Sequence, residues 1–329
     1  MQANNSGAAD IVAISNPRSG KNKRGGFEVF EKTLQDYPAI QHIITHKESS
    51  LLDAMEACKQ QNTKILIING GDGTLLQVLT YLKNESNQMY TPALVLLRAG
   101  TTSMAFGDVG CKGRLSDVLN KVIMYSQQSG TRALKPTLTP VIEMTLPEKN
   151  LTVCGMFFGA GAIYNGILYC RQNIHTKGVR GELGPSMAMI RYIFDWLTSN
   201  KMTTSTRASI EMDEAPVITG EFTIITATTL NRLLMGVYPF WGHGRSSNNI
   251  SFTLIKKNAP KGFKAFMKIL RGKDPLVEAG ADYYRSVCPV KTKLIIEDGF
   301  TLDGELFGEP GKATKVELQS AGNVTFLTT

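Results

Sequence analysis

The sequence predicts two kinds of fold in one chain: an N-terminal parallel α/β domain, then a C-terminal β-rich sandwich domain with few helices. Three observations predict this. Short apolar runs alternate with helical stretches as far as about Arg132, which is the βαβ pattern. From about Ala133 onwards, β-branched and alternating segments dominate. Three of the early runs also empty into loops carrying Gly, Ser and Thr, as strand ends lining one crevice would.

The elements follow in order. Ile11-Val12-Ala13-Ile14-Ser15 reads as a first buried strand, followed by Asn16-Pro17-Arg18-Ser19-Gly20-Lys21 and a helix from about Gly25 to Asp36. A second helical stretch covers Leu51–Gln60. Lys64–Asn69 is a short Ile-rich run and reads as a strand. It passes through Gly70-Gly71-Asp72-Gly73-Thr74 into Leu75–Leu82, apolar at helical spacing. Ala93–Leu97 is another buried strand, ending in Arg98-Ala99-Gly100-Thr101-Thr102-Ser103, and Leu115–Tyr125 is helical. In the second half, Thr137–Leu146, Leu151–Phe158, Ser205–Met212, Phe222–Thr228, Ile250–Ile255, Val290–Glu297 and Lys315–Leu318 are strand-like. Pro185–Ser199 and Lys261–Leu270 are the helices that interrupt them.

A strand that empties into a three-glycine turn and then a helix is a device for holding phosphate. Glycine lets the backbone approach an anion, and the N–H groups at a helix start point at it. A glycine-rich turn kept only for packing is the alternative. The loops are not Walker-type phosphate loops, because the spacing before Gly-Lys-Ser/Thr is missing, and no G-x-G-x-x-G follows the first strand.

A chain of 329 residues with 42% hydrophobic content has the size of two domains with ordinary cores. The net charge of +8 favours anionic partners: nucleotide phosphates or acidic lipid headgroups. Nucleic acid is not expected, since no helix-turn-helix, RNA-binding or zinc-finger pattern occurs. Five widely spaced cysteines without a C-x-x-C pair suit a reducing compartment. No signal-peptide pattern and no apolar run near the ~20 residues needed to cross a bilayer is present, so a cytoplasmic protein is expected.

The motifs carry a resemblance. Asn16-Pro17-Arg18-Ser19-Gly20, Thr45, Gly70-Gly71-Asp72-Gly73-Thr74, Gly100-Thr101 and Asp303-Gly304-Glu305 recur in that order in the diacylglycerol kinase catalytic family. That family includes sphingosine kinases and soluble bacterial lipid kinases. The chain resembles it from about Ile11 to Phe326. NAD kinases share the G-G-D-G-T turn, and the late Asp303-Gly304-Glu305 triplet favours lipid kinases over them. The resemblance implies an NAD-kinase-like nucleotide domain over residues 1–132, joined by residues 316–329, and a lipid-substrate domain over 133–315.

It also implies an ATP-dependent kinase using Mg²⁺, with a diacylglycerol-like or sphingoid lipid as acceptor, working in the cytoplasm or peripherally at an anionic membrane. Gly70–Thr74 would cradle the phosphates, with Asn16–Gly20 and Gly100-Thr101 closing the crevice. Thr45 would contact nucleotide; capping the next helix is its alternative role. Asp72 would organise Mg²⁺ waters or the acceptor, unless it only bonds its own loop. Glu305 is the expected base and Asp303 its support, holding metal or water. Their i, i+2 spacing puts both carboxylates on one side if the backbone there is extended. By itself Asp303-Gly304 reads as a D-G hairpin.

Two departures stand out. The family's third motif reads G-T-x-N-D, where this chain has Ser103 and Met104; and Ser246-Ser247-Asn248-Asn249-Ile250 lacks the acidic loop that holds a structural metal in bacterial relatives. An NAD kinase-like enzyme and a catalytically weakened nucleotide- or lipid-binding protein are therefore the alternatives. Phe157–Gly161 and Tyr238–Gly242 are acyl-slot candidates or plain core. The basic amphipathic segment 261–271 suits a membrane surface or a solvated face. Arg171, His175, Lys177 and Arg180 form a basic loop facing headgroups or solvent. A homodimer is compatible with the sequence, which does not choose an oligomeric state.

Overall fold

The computed structural model describes residues 10–85, 89–100, 104–127, 134–177, 205–233, 238, 240–242, 249–259, 268 and 283–329. The helix expected over 185–199 lies outside the described residues, as does that over 261–270 apart from Lys268. The chain divides into two compact units, one running to Thr139 and including Asn323–Thr329, the other Pro140–Gly322.

The first unit is a parallel sheet. Its strands are β1 (Ile11–Ser15), β2 (Ile40–Ile44), β3 (Ile65–Asn69) and β4 (Ala93–Leu96). They lie in the order β2-β1-β3-β4, and Phe326 of the last strand pairs parallel with Leu94. Between them run α1 (Gly26–Leu34), α2 (Glu48–Gln60) and α3 (Asp72–Thr80), with α4 (Met104–Val109) and α5 (Leu115–Ser126) after β4. All five residues of β1 and of β3 are buried, as strands covered on both faces must be. The chain moves one way from β1 to β2 and the other way from β2 to β3. Right-handed crossovers then place α1 and α2 on opposite faces. The packing agrees: Phe30 and Leu34 of α1 join Val118, Leu119 and Val122 of α5 in one core with Ile11, Ala13, Ile65 and Ile67, while α2 packs on α3. Leu134 and Leu327 complete that core.

The pairings within the second unit are antiparallel. Its elements begin with β5 (Lys135–Leu146), of which residues 140–146 belong to it, followed by β6 (Leu151–Gly155), β7 (Phe157–Gly161), α6 (Ala162–Lys177), β8 (Thr206–Met212) and β9 (Ile218–Thr228). After these come β10 (Ser251–Lys256), β11 (Tyr284–Val287), β12 (Lys291–Ile296), β13 (Phe300–Leu302), β14 (Glu305–Phe307) and β15 (Thr314–Thr328). The long strand β9 organises them. Its first half pairs with β8, its second half pairs with β7 on the same edge, and β10 takes the other edge. The register rows Leu302–Phe158–Ala227–Phe252 and Phe300–Ala160–Ile225–Leu254 lie two residues apart, so all eight face one core. Phe158, expected as an acyl-slot candidate, is buried there against Phe300, with ring centroids 5.7 Å apart.

Among the described residues no helix is long and apolar enough to cross a membrane. Cys58, Cys111, Cys154 and Cys288 are free thiols.

Candidate active site

The strand order fixes where a ligand of the first unit belongs. The connections from β1 and β3 leave toward opposite sides of the sheet, so the crevice opens outside the carboxyl ends of these two neighbours. Ser15 ends β1 and Asn69 ends β3, directly paired in register. The two motif loops Asn16–Gly20 and Gly70–Thr74 therefore start side by side.

Hydrogen bonds join them. The Asn16 N–H donates to Asn69 O at 3.0 Å, and the Asn16 amide donates to Thr74 Oγ1 at 3.2 Å. Ser19 Oγ accepts the Gly71 N–H at 3.0 Å. Lys21 N–H reaches Ala99 O at 2.8 Å, bringing in the loop after β4. Pro17 and Gly20 are half-buried, whereas the Arg18 side chain is exposed, free of the sheet and able to meet an anion.

α3 starts at Asp72, with Gly71 as its extended N-cap. Thr74 and Leu75 N–H groups close on Gly71 O, forming the first turn of the helix. The helix dipole adds to this electropositive end. Gly70 is required by packing: a Cβ there would lie 2.5 Å from Thr74 Cβ. Gly71 is different: among the described residues a Cβ would meet Gly100 Cα at 3.5 Å and Ser19 Oγ at 3.8 Å, ordinary contacts that force nothing to move. Asp72 Oδ2 accepts the Met104 N–H at 3.3 Å, so the carboxylate also serves the start of α4. Thr101 and Ser103 of the third motif lie outside the described residues.

Thr45 is buried at the end of β2; its hydroxyl and its N–H both donate to Ser15 O, at 3.2 and 2.8 Å. It is not the cap of α2, whose N-cap residue is Lys47. That leaves Thr45 Oγ1 beside the end of β1.

Four residues of this lattice, Asn22, Asn69, Ser15 and His42, belong to no motif recognisable in the sequence. Asn22 is 3% exposed and donates both amide protons, to Asn16 O at 2.8 Å and Asn69 O at 3.1 Å. Asn69 donates to Ser15 Oγ at 3.2 Å, and Ser15 Oγ lies 2.9 Å from His42 Nε2. Burial pushes the His42 imidazole below its ordinary value, with Glu31 pulling weakly the other way.

In the second unit, Asp303 and Gly304 have φ of 49° and 86° and form the two-residue turn between β13 and β14, where Leu302 pairs with Glu305. The extended backbone that would set the two carboxylates side by side is therefore not formed. Asp303 Oδ1 accepts the Phe157 N–H at 2.8 Å and the Met156 N–H at 3.1 Å; Oδ2 also accepts from Met156, at 3.0 Å. Glu305 is half-exposed, its Oε2 3.7 Å from the Arg171 guanidinium, which donates to Gly304 O at 2.7 Å. Asp213 repeats the Asp303 arrangement. It also sits at a turn with positive φ (49°), and its carboxylate accepts the Val290 and Lys291 N–H groups at 2.8–3.1 Å. Among the described residues no group of three His, Cys, Asp or Glu gathers as a metal cage.

Known proteins bear on this arrangement. No curated protein matches the chain. Solved structures do so in fold: a proposed diacylglycerol kinase from Bacillus anthracis str. Sterne superposes with a TM-score of 0.63 at 14% identity, covering 99% of this chain and 98% of that one. A diacylglycerol kinase from the same organism gives 0.60 at 14% identity over 97% and 96%. Yeast NADH kinase complexed with NADH gives 0.51 at 12% identity over 98% and 84%. The crevice loops, the switch in strand order and the helix that starts at Asp72 all fall within residues 10–133, the stretch that matches the family model described as the diacylglycerol kinase catalytic domain.

Proposed function

We propose that this chain is an ATP-dependent lipid kinase, transferring the γ-phosphate to a hydroxyl of a diacylglycerol-like or sphingoid lipid. One observation carries the nucleotide half of this reading: the family's two loops converge at the switch point of the sheet, bonded to each other through Ser19 and Gly71. Phosphoryl transfer needs positioning and charge stabilisation more than covalent chemistry. The electropositive start of α3 faces the phosphates, and Gly71 lets the backbone come close to them. Arg18, exposed on the neighbouring loop, adds a positive charge.

Mg²⁺ suits this cradle because Asp72 is its one carboxylate, and a nucleotide-bound Mg²⁺ takes one or two carboxylates besides phosphates and water. The metal would neutralise charge on the phosphates. Asp72 would hold one of its waters. Glu305 is the group assigned to the acceptor proton, since its carboxylate is half-exposed and oriented by Arg171. The Asp303 carboxylate bonds the backbone of Met156 and Phe157 and acts through the shape of the turn. Work at an anionic membrane surface, consistent with the net charge of +8, and a dimeric state are parts of this proposal that rest on the sequence alone.

The test is incubation of the purified chain with γ-labelled ATP and Mg²⁺ against diacylglycerol, sphingoid bases, NAD and no acceptor. Label in a lipid supports the reading. Label in NAD replaces it with the NAD kinase reading, and nucleotide binding without transfer replaces it with a non-catalytic one.

A further inference from the structure

We infer that Asn22 is the positioning residue of the nucleotide site, setting the separation between the loop after β1 and the loop after β3. The inference rests on the reading of that crevice as a nucleotide site. Asn22 is nearly inaccessible, at 3% exposure, in a short 3₁₀ turn (Asn22–Arg24) just beyond the N-P-R-S-G loop. Its two amide protons go to main-chain carbonyls on different loops, Asn16 O at 2.8 Å and Asn69 O at 3.1 Å. Asn69 is the last residue before Gly70-Gly71. Those same residues are joined once more, by the Asn16 N–H to Asn69 O bond.

A primary amide is the one uncharged side-chain group that offers two protons from a single atom. Here both protons are used between the two segments that must stay in register for Ser19 to meet Gly71. The Asn16 and Asn69 side chains each send an amide proton elsewhere, to Thr74 and to Ser15, while their main-chain carbonyls are the groups that Asn22 ties together. Loss of the clamp lets the loops separate, and a misplacement of the order of 1 Å is enough to weaken a pre-organised site strongly. Asn22 itself touches no phosphate in this account. It acts through the loops.

The experiment compares wild type with Asn22→Ala, Asn22→Asp and Asn22→Ser, all as the full chain. Two readouts are taken well below the melting temperature: ATP affinity by calorimetry in the presence of Mg²⁺, and amide hydrogen exchange. The Ala and Asp variants should bind ATP about tenfold more weakly and exchange the Asn16 and Gly71 amides about tenfold faster, with Ile67 in mid-strand unchanged. Asn22→Ser keeps one donor and should fall between. Folded variants with wild-type affinity and wild-type exchange at Asn16 and Gly71 would overturn the clamp. If the Ala and Asp variants do not fold, the Ser variant decides by the same two readouts. Should wild type itself bind no nucleotide, the kinase reading fails separately, and the exchange at Asn16 and Gly71 still decides the role of Asn22.

Discussion

Ser19 accepts the Gly71 N–H at 3.0 Å, so a hydroxyl from the loop after β1 serves the N-cap residue of α3. An N-cap normally supplies its own side chain to the helix start. Gly71 has none. Its missing side chain leaves space beside Gly100, and the backbone stays anchored by a neighbour instead.

Gly70 and Gly71 should therefore behave differently on substitution. Gly70→Ala forces a Cβ into the Thr74 side chain and should destabilise the fold by ~1–3 kcal/mol, read as a lowered melting temperature. Gly71 has a φ of −91°, so an added Cβ brings no backbone strain. Gly71→Val should melt like wild type and lose nucleotide affinity by obstruction alone. Equal melting temperatures for all three proteins would remove the packing argument for Gly70.

Asp303 and Glu305 should separate into stability and turnover. Asp303→Asn replaces one acceptor oxygen by a donor facing the Met156 N–H and should cost ~1–3 kcal/mol of stability. Asp213→Asn should cost a similar amount through Val290 and Lys291. Glu305→Gln should melt close to wild type and lose ~10²–10⁴-fold in the single-turnover rate. A fully active Glu305→Gln would take the base role away from that residue.

Asp72→Asn keeps an oxygen for the Met104 N–H and removes the charge. The variant should fold and bind nucleotide, and its turnover should fall steeply at every Mg²⁺ concentration. Wild-type turnover would leave Asp72 as a brace for α4.

His42 predicts a pH dependence with a definite sign. Burial lowers its folded-state pKa below the ordinary 6.5, so the folded protein prefers the neutral ring. The stabilisation is fully present above pH ~6.5 and is lost as the pH falls from there through the lowered folded value. The melting temperature should drop across that window in wild type and drop less in His42→Gln, whose unfolded state gains no proton there.

Much of the first unit was legible because its strands are covered on both faces. Ile11–Ser15 and Ile65–Asn69 are continuous apolar runs, and their helices carry one clear apolar stripe each. Strand β2 was not legible: as the sheet edge it is half-exposed, and Gln41 and His42 interrupt its Ile residues. Helix α6 escaped for a related reason, since Asn165 and Gly166 break its stripe. The single strand expected over 151–158 divides at Met156, where the Asp303 carboxylate takes amides that a continuous ladder would have used. A residue 147 positions away in sequence sets that boundary, beyond the reach of any local pattern. The meeting of the two motif loops follows from their places at the ends of β1 and β3, which pair in register. Asn22 could not be read, because its significance lies wholly in two carbonyls that only the folded chain brings within reach.

Strand β15 has a bearing on how the polypeptide is made. Phe326 pairs with Leu94, and Leu327 lies in the core with Ile11, Ile65 and Phe30. During synthesis the first unit waits for residues more than 200 positions downstream of β4 before its apolar core can close. Contacts this distant in sequence slow folding and leave apolar surface uncovered meanwhile. A nascent chain halted before Val324 would present an incomplete first unit to chaperones, however well its earlier strands are formed.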